Sequence, residues 1–478
     1  MKICQTIAVS TLKALRAERD AVRLNGPVSM VELRLDHLAP GEIDVAGALD
    51  GRQLPVIVTC RPVREGGKFG GAEEQRLAIL REAARLGAEF VDVEFDAALT
   101  LTDTRTVLSH HSFVPGVPRD LSDRVRAMRS RACAIGNAVV KIAITPERPR
   151  DCVTLRRVLD LGPSADGTIA IGMGKAGELS RMLPAKFSGE WTYAGAAAPG
   201  QFAAADLATR FRAHEVNSAT RVFGIAGAPL SHSASPAMHN SAFRHAGLDA
   251  VFVPFETNDA DELRELADGL DVEGLSITAP LKSAVMSFGE VDQTGREIGA
   301  INTLKRSGSA WHGRNFDAQA FTDPLREVLP AARGLRAIVL GAGGAARAAV
   351  RELTALEMAV EISARDSAKA EALANAFGAR AISFPPHGDA ALVVNATPVG
   401  TRSAESPIPA EAVRADVAYD LVYNPEDTTF LADARTRGSK TIGGLAMLVA
   451  QARRQFDWWT GCAVPAEVFE QAAREFIR

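Results

Sequence analysis

Ala138-Val-Val-Lys-Ile-Ala-Ile-Thr-Pro146 sets one lysine, Lys141, inside an apolar, β-branched run. Such a run reads as a buried strand closed by proline. An ammonium ion in an apolar core is costly, so this lysine either snorkels its amine to water along a packed stem or carries chemistry. Desolvation lowers the pKa of an amine, and the free base can attack a ketone to form a Schiff base. A second run, Thr104-Arg-Thr-Val-Leu-Ser-His-His-Ser-Phe113, lies upstream and ends in histidines. A strand lysine beside a strand-end histidine points to imine chemistry with an acid/base partner.

Working outward, short β-rich runs recur at 3–9, 28–36, 55–61, 90–95, 105–111, 138–144, 168–173 and 192–196. Helical periodicity separates them, as at 71–86 and 122–135. Eight strand–helix units within residues 1–215 predict an α/β fold, a (β/α)8 TIM barrel, with an open doubly wound sheet as the alternative. Barrel chemistry sits at the C-terminal strand ends, and charge gathers there. Glu32, Arg34 and Asp36 close the second strand, and Arg61 and Glu65 follow the third. Asp92 and Glu94 lie on the fourth, His110 and His111 end the fifth, and Lys141 lies on the sixth. Inward charges of both signs are costly unless paired, so a polar ligand site is the simpler account.

Val31-Glu-Leu-Arg-Leu-Asp36, Thr59-Cys-Arg-Pro62, His111-Ser-Phe113, Lys141-Ile-Ala143 and Ala198-Pro-Gly-Gln201 together resemble the type I 3-dehydroquinate dehydratase family. The resemblance implies that Lys141 forms an imine with the C3 ketone of 3-dehydroquinate. It makes His111 the base at C2 and the acid at the C1 hydroxyl, with Glu65 positioning it. Glu32, Arg34 and Arg61 would hold substrate hydroxyls, Arg181 the carboxylate, and Gln201 the lid. Ala197 stands where the family often has serine, which removes one substrate hydrogen bond. His110 competes with His111, because neighbouring strand residues face opposite ways; the spacing to Phe113 favours His111.

Bulk properties narrow the class. Net charge is −4, with 54 Lys+Arg against 58 Asp+Glu, so no electrostatic case exists for nucleic acid or an anionic membrane. Five scattered cysteines without a Cys-x-x-Cys spacing read as reduced thiols, with neither disulfide frame nor metal site expected. Met1 leads almost directly into Ile3–Val9 and no apolar segment could span a bilayer, so a cytoplasmic protein is expected.

A closing helix is expected near 202–220, and the register restarts at Arg221. Arg336-Ala-Ile-Val-Leu-Gly-Ala-Gly-Gly-Ala-Ala-Arg347 reads as a strand, a glycine turn and a helix start. Gly341 permits the tight turn, Gly343 lets the backbone approach a pyrophosphate, and Ala346 allows close helix packing. Ala342, Gly344 and Ala345 complete the loop. The next strand ends at Arg365 rather than at an acidic residue, and with Lys369 one turn on this points to NADP(H). Asp366 would repel a phosphate, and a solvated surface arginine is the other reading of Arg365.

Ser233-Ala-Ser-Pro236, Ser276–Lys282, Gly299–Leu304 and Asn315-Phe-Asp317 precede this loop; Asn395–Gly400, Tyr419–Pro425 and Met447–Gln451 follow it. In this order they resemble the shikimate dehydrogenase family. The resemblance implies a two-lobed α/β module. Its substrate lobe would be 220–325 completed by helices in 445–478, and its Rossmann NADP-binding lobe 326–444. Lys282 and Asp317 would be the catalytic pair acting on 3-dehydroshikimate. Ser233 and Ser235 would bind the carboxylate, with Tyr423 near that end. Thr278, Asn302 and Gln451 would reach ring hydroxyls, while Thr397 and Met447 would face the cofactor. Phe316 replaces a hydroxyl beside Asp317 and leaves the preference between shikimate and quinate open.

The two halves resemble consecutive reactions: dehydration of 3-dehydroquinate, then reduction of 3-dehydroshikimate to shikimate. A fused enzyme of aromatic biosynthesis is expected, as in plants but without a plastid address. The alternatives are a dehydratase fused to a catabolic quinate dehydrogenase, and a quinate-responsive regulator without turnover. Oligomeric state is not legible.

Overall fold

The computed structural model describes residues 1–22, 26–159, 161, 167–401 and 403–477. Its contacts group into two compact units, the first built on Met1–Val222. Here eight strands lie in one parallel sheet: β1 (Lys2–Ile7), β2 (Met30–Arg34), β3 (Val56–Thr59), β4 (Phe90–Glu94), β5 (Arg105–Pro115), β6 (Ala138–Thr145), β7 (Thr168–Gly172) and β8 (Trp191–Ala194). Their order is β7-β6-β5-β4-β3-β2-β1-β8, so the sheet curls into a barrel. Among the described residues the seam between β7 and β8 is crossed by one isolated bridge, Thr168 to Gly189. The expected barrel is therefore nearly closed. The closing helix expected at 202–220 is reduced to one loose turn at Asp206–Arg210.

Strand alternation stacks the interior in layers. Cys4, Met30, Ile57, Phe90, Val107, Val139, Ile169 and Trp191 form a buried apolar cluster. Two residues on, the same strands bring Thr6, Glu32, Thr59, Asp92, Ser109 and Lys141, all buried. Apolar floor and polar layer thus follow from one period-two pattern. The apolar surroundings expected for Lys141 belong to its strand neighbours; its own layer is polar.

From Arg221 onward the chain carries two further sheets. One has the order β10-β9-β11-β13-β14-β12, from β9 (Arg221–Gly227), β10 (Ala250–Glu256), β11 (Val272–Ile277), β12 (Glu290–Val291), β13 (Thr303–Ser307) and β14 (Ala310–Arg314). Helix Gly444–Thr460 docks here: Trp459 Nε1 donates to the Leu304 carbonyl at 2.9 Å. The other sheet is parallel, from β15 (Arg336–Leu340), β16 (Ala359–Ser363), β17 (Arg380–Ile382), β18 (Gly388–Asn395), β19 (Val413–Asp420) and β20 (Lys440–Ile442). Its order, β17-β16-β15-β18-β19-β20, is that of a dinucleotide-binding doubly wound sheet, with the direction reversing between β15 and β18. Among the described residues, no helix is long and apolar enough to cross a membrane.

Candidate active sites

In the barrel, Lys141 Nζ lies 3.0 Å from Asp92 Oδ2 and 3.8 Å from Glu32 Oε1. The ring of Tyr193 lies 4.6 Å from the same nitrogen and floors the site with a cation–π contact. Glu32 is fixed by the hydroxyls of Thr6 and Thr59, each at 2.9 Å. Asp92 also accepts from Arg61 at 2.8 Å and from Ser109 at 2.6 Å. Burial opposes ionisation of Asp92, but Arg61 and Lys141 outweigh it and hold the carboxyl well below the usual carboxylate range. Two carboxylates within reach fix the buried amine in the inward polar layer, where it can meet a ligand's ketone.

The pairing register separates the two histidines. Ser109 stands opposite Lys141, and His111 stands opposite Ala143, so His111 shares the inward face of Ser109. Glu65 nevertheless bridges both. Its Oε2 accepts from the His111 backbone N–H at 2.9 Å and lies 3.0 Å from His111 Nδ1, while Oε1 lies 3.6 Å from His110 Nδ1. Burial alone would raise the Glu65 carboxyl, but hydrogen bonds with His110 and His111 outweigh it and hold it at about 2. His111 Nδ1 lies 3.0 Å from Arg61 Nη1 as well, so the ring is held between an acceptor, Glu65, and a donor, Arg61.

Burial first, then Arg61, pushes the His111 imidazole down to about 3. At pH 5 we expect it still neutral, when an ordinary histidine is mostly protonated; imidazole 15N shifts check this, and a protonated ring at pH 5 would contradict it. The linkage has a definite sign. Between about pH 6.5 and 3 the unfolded chain binds a proton that folded His111 refuses, so this group costs stability as pH falls through that window.

The rim residues differ in readiness. Arg34 is committed to Asp36 through two bonds at 2.9 and 2.8 Å. Arg181, placed by sequence in a loop, lies in the short helix Glu178–Met182 and is buried. Its Nε has no hydrogen bond among the described residues, and burial pushes its guanidinium down to about 10. A buried, incompletely satisfied arginine is suited to a carboxylate ligand. Gln201 Oε1 accepts from the Ala197 and Ala198 N–H groups at 2.8 and 3.1 Å and shapes its own loop.

In the second unit, Lys282 Nζ and Asp317 Oδ2 are 2.5 Å apart. Asn302 Nδ2 donates to Asp317 Oδ1 at 2.7 Å and to Gln451 Oε1 at 3.0 Å. The pair opens on a cavity of about 330 Å³ whose wall includes Ser233, Ser235, Thr278, Tyr423 and Gln451. Met447, expected at the cofactor, lines this cavity instead of the neighbouring groove.

That groove, about 940 Å³, runs along the switch point between β15 and β18. Gly341 has φ +103°, and a Cβ there would stand 3.0 Å from Thr397 Cγ2. Gly343 faces open space, and helix Gly344–Ala355 starts behind it without a capping side chain. Ala345 lies in this first turn, and the next residue, Ala346, is fully buried. Uncapped N–H groups beside a turn without a Cβ at Gly341 and Gly343 fit a pyrophosphate. Arg365 and Lys369 line the groove. Asp366 lines the groove too; it caps helix Ser367–Phe377, accepting from the Lys369 N–H at 3.1 Å, and pairs with Lys369 Nζ at 3.2 Å.

Residues 3–218 match the family Type I 3-dehydroquinase. Residues 225–304 match the shikimate dehydrogenase substrate binding domain, and 444–474 the shikimate 5'-dehydrogenase C-terminal domain. The bifunctional 3-dehydroquinate dehydratase/shikimate dehydrogenase, chloroplastic, of Arabidopsis thaliana is 30% identical over 519 residues, covering 99% of this chain and 84% of that protein. The chain belongs to this family.

It is accordingly a bifunctional enzyme, a type I 3-dehydroquinase joined to a shikimate dehydrogenase. A shikimate dehydrogenase (NADP(+)) of Pelobacter propionicus is 37% identical over 271 residues, 54% of this chain and 96% of that one. A crystal structure of shikimate dehydrogenase in complex with NADP+ is 34% identical, with TM-score 0.52, over 55% of this chain and 97% of that one. Phe316 does not line the substrate cavity; its ring meets Trp458 edge to face at 5.7 Å, and its backbone N–H donates to Asn302 Oδ1 at 2.9 Å. Sequence reading also missed Gln455, a buried cavity residue that joins Ser276 at 2.6 Å to Thr303 at 2.9 Å. Its position on the cavity side of the helix, four residues after Gln451, was the available signal.

Proposed function

We propose that the barrel's residues 1–215 carry the dehydration and that the two lobes, 220–325 with 445–478 and 326–444, carry the reduction. Lys141 attacks the C3 ketone of 3-dehydroquinate, losing water to form an iminium. His111 Nε2 removes the C2 proton, and the iminium accepts the electrons. His111 returns that proton to the departing C1 hydroxyl, and hydrolysis frees Lys141 and 3-dehydroshikimate. Glu65 orients the histidine, Arg181 holds the carboxylate, and Glu32, Arg34 and Arg61 face the ring hydroxyls, with Arg34 oriented by Asp36. The observation that supports this reading best is one inward polar layer joining Lys141, Glu32, Asp92 and Ser109 beneath His111.

In the second site the groove residues would hold NADP(H) through Gly341, Ala342, Gly343, Gly344 and Ala345 at the pyrophosphate and Arg365 and Lys369 at the 2′-phosphate, with Thr397 on the opposite wall. NADPH supplies hydride when bound. Lys282 and Asp317 hold a proton between them at 2.5 Å and deliver it to the oxygen of the substrate carbonyl. Ser233, Ser235 and Tyr423 hold the carboxylate, while Thr278, Asn302 and Gln451 orient the ring. With Phe316 turned to Trp458, nothing it contributes favours quinate, and shikimate is the product we assign. We place the protein in the cytoplasm.

Adding 3-dehydroquinate alone to protein and NADPH tests the whole reading: oxidation followed at the nicotinamide absorbance requires both sites in sequence. No signal with 3-dehydroquinate or with 3-dehydroshikimate would overturn it. Arg365→Ala is expected to raise the KM for NADPH roughly ten-fold and leave the KM for NADH nearly unchanged, since only one carries the phosphate that arginine recognises. Equal changes for both cofactors would remove Arg365 from that role.

A further inference from the structure

Asp420 closes β19 and is fully buried. Its Oδ1 accepts from Asn395 Nδ2 and from the Val422 N–H, both at 2.9 Å; its Oδ2 accepts from the Thr428 hydroxyl at 2.6 Å. Among the described residues no cation pairs with it. A buried carboxylate held by three neutral donors and no counter-charge is costly and calls for a reason.

Its partners lead to both halves of the second site. Asn395 Oδ1 accepts from the Thr397 N–H at 3.0 Å and from its hydroxyl at 2.7 Å, and Asn395 Nδ2 also reaches the Val399 carbonyl at 3.2 Å. Thr397 and Val399 wall the dinucleotide groove. Leu421 and Tyr423, which follow Asp420 in the chain, wall the substrate cavity. Thr428 caps helix Thr429–Thr436 from the far side, accepting from the Leu431 N–H. The carboxylate lines neither groove nor cavity but stands behind both walls.

We propose that Asp420 is a positioning residue that fixes the Thr397 wall of the cofactor groove, through Asn395, in register with the Tyr423 wall of the substrate cavity. This rests on the assignment of the groove to NADP(H) given above. Charge matters to the device, because an ionised carboxylate orients Asn395 more strongly than a neutral acceptor would. Burial raises this carboxyl to about 6 against the pull of Thr428, Val422 and Asn395. Those groups face it from the β19 loop, the helix cap and the end of β18, and none is charged. Protonation as pH falls through that value loosens Asn395, so cofactor affinity weakens on the acid side.

The test uses the full-length protein and reads direct NADP+ binding by calorimetry alongside both activities. Asp420→Asn is expected to weaken NADP+ binding roughly ten-fold, as loss of one charged hydrogen-bond partner does. Asn395→Ser should do the same, and the double variant should be little worse than either single change, since both cut one chain of bonds. Dehydration in the barrel should be unaffected in all three. In the wild type the Kd for NADP+ should rise below pH 6 more steeply than in Asp420→Asn; titration of the cofactor's own phosphate enters both proteins equally. An unchanged Kd in Asp420→Asn, multiplied losses in the double variant, or parallel pH curves would each overturn the proposal. Should Asp420→Asn destabilise the second unit, Asn395→Ser probes the same link from the groove side, and an unchanged Kd there overturns it. If the wild type binds no NADP+ at all, the groove assignment itself fails, a result distinct from these.

Discussion

Lys141→Ala is expected to abolish dehydration, by on the order of 10⁴-fold or more, because removal of a covalent nucleophile leaves only binding and orientation. Reduction of 3-dehydroshikimate by the same protein should be unchanged, and this supplies an internal check that the chain is folded. The fold should tolerate the change. Without Lys141, Asp92 keeps Arg61 and Ser109, and Glu32 keeps Thr6 and Thr59, so neither carboxylate is stranded. Lys141→Met, which preserves the stem and much of the volume, should be as inactive as alanine. Borohydride added with 3-dehydroquinate should fix the substrate to wild-type Lys141 as a mass increment and leave the variants unlabelled. Residual dehydration within ten-fold of wild type would sink the Schiff-base reading.

The barrel was legible because each strand repeats one alternation, and the layers follow from it without knowing which strands touch. What alternation could not reveal was the company Lys141 keeps. Its carboxylate partners lie 49 and 109 residues upstream, on strands whose order only closure of the sheet defines. Read along its own run, the lysine stands among Val140, Ile142 and Ile144; read across the barrel, it stands among Glu32, Asp92 and Ser109. The choice between His110 and His111 was open for the same reason, and the register of β5 against β6 resolves the faces. In the second unit the catalytic types were visible, but side-chain direction was not. Phe316 sits one residue from Asp317 and points to Trp458, and Met447 turns to the cavity rather than to the groove. Asp420 was invisible as a device because its meaning lies in Asn395 and Thr428, which reach it from other elements.

Lys282→Ala should give the converse of the barrel result: reduction falls by about 10²- to 10⁴-fold, the range for loss of a positioned proton donor, while dehydration is untouched. The loss should fall on kcat more than on the KM for 3-dehydroshikimate, because Ser233, Ser235, Tyr423 and Gln451 still line the cavity. The geometry adds a second expectation. Asp317 is only 8% exposed at its side chain and keeps Asn302 at 2.7 Å after the lysine is removed, so the carboxylate stays fixed but loses its cation. Lys282→Met should therefore behave like alanine, and Asp317→Asn should also lose reduction, since the shared proton has one holder fewer. The double variant Lys282→Met with Asp317→Asn should be scarcely slower than either single one, because two groups that act as a unit are not additive. Losses that multiply in the double variant would mean two independent roles and would break the pair apart. Loss of dehydration in any of these folded variants would contradict the independence of the two sites.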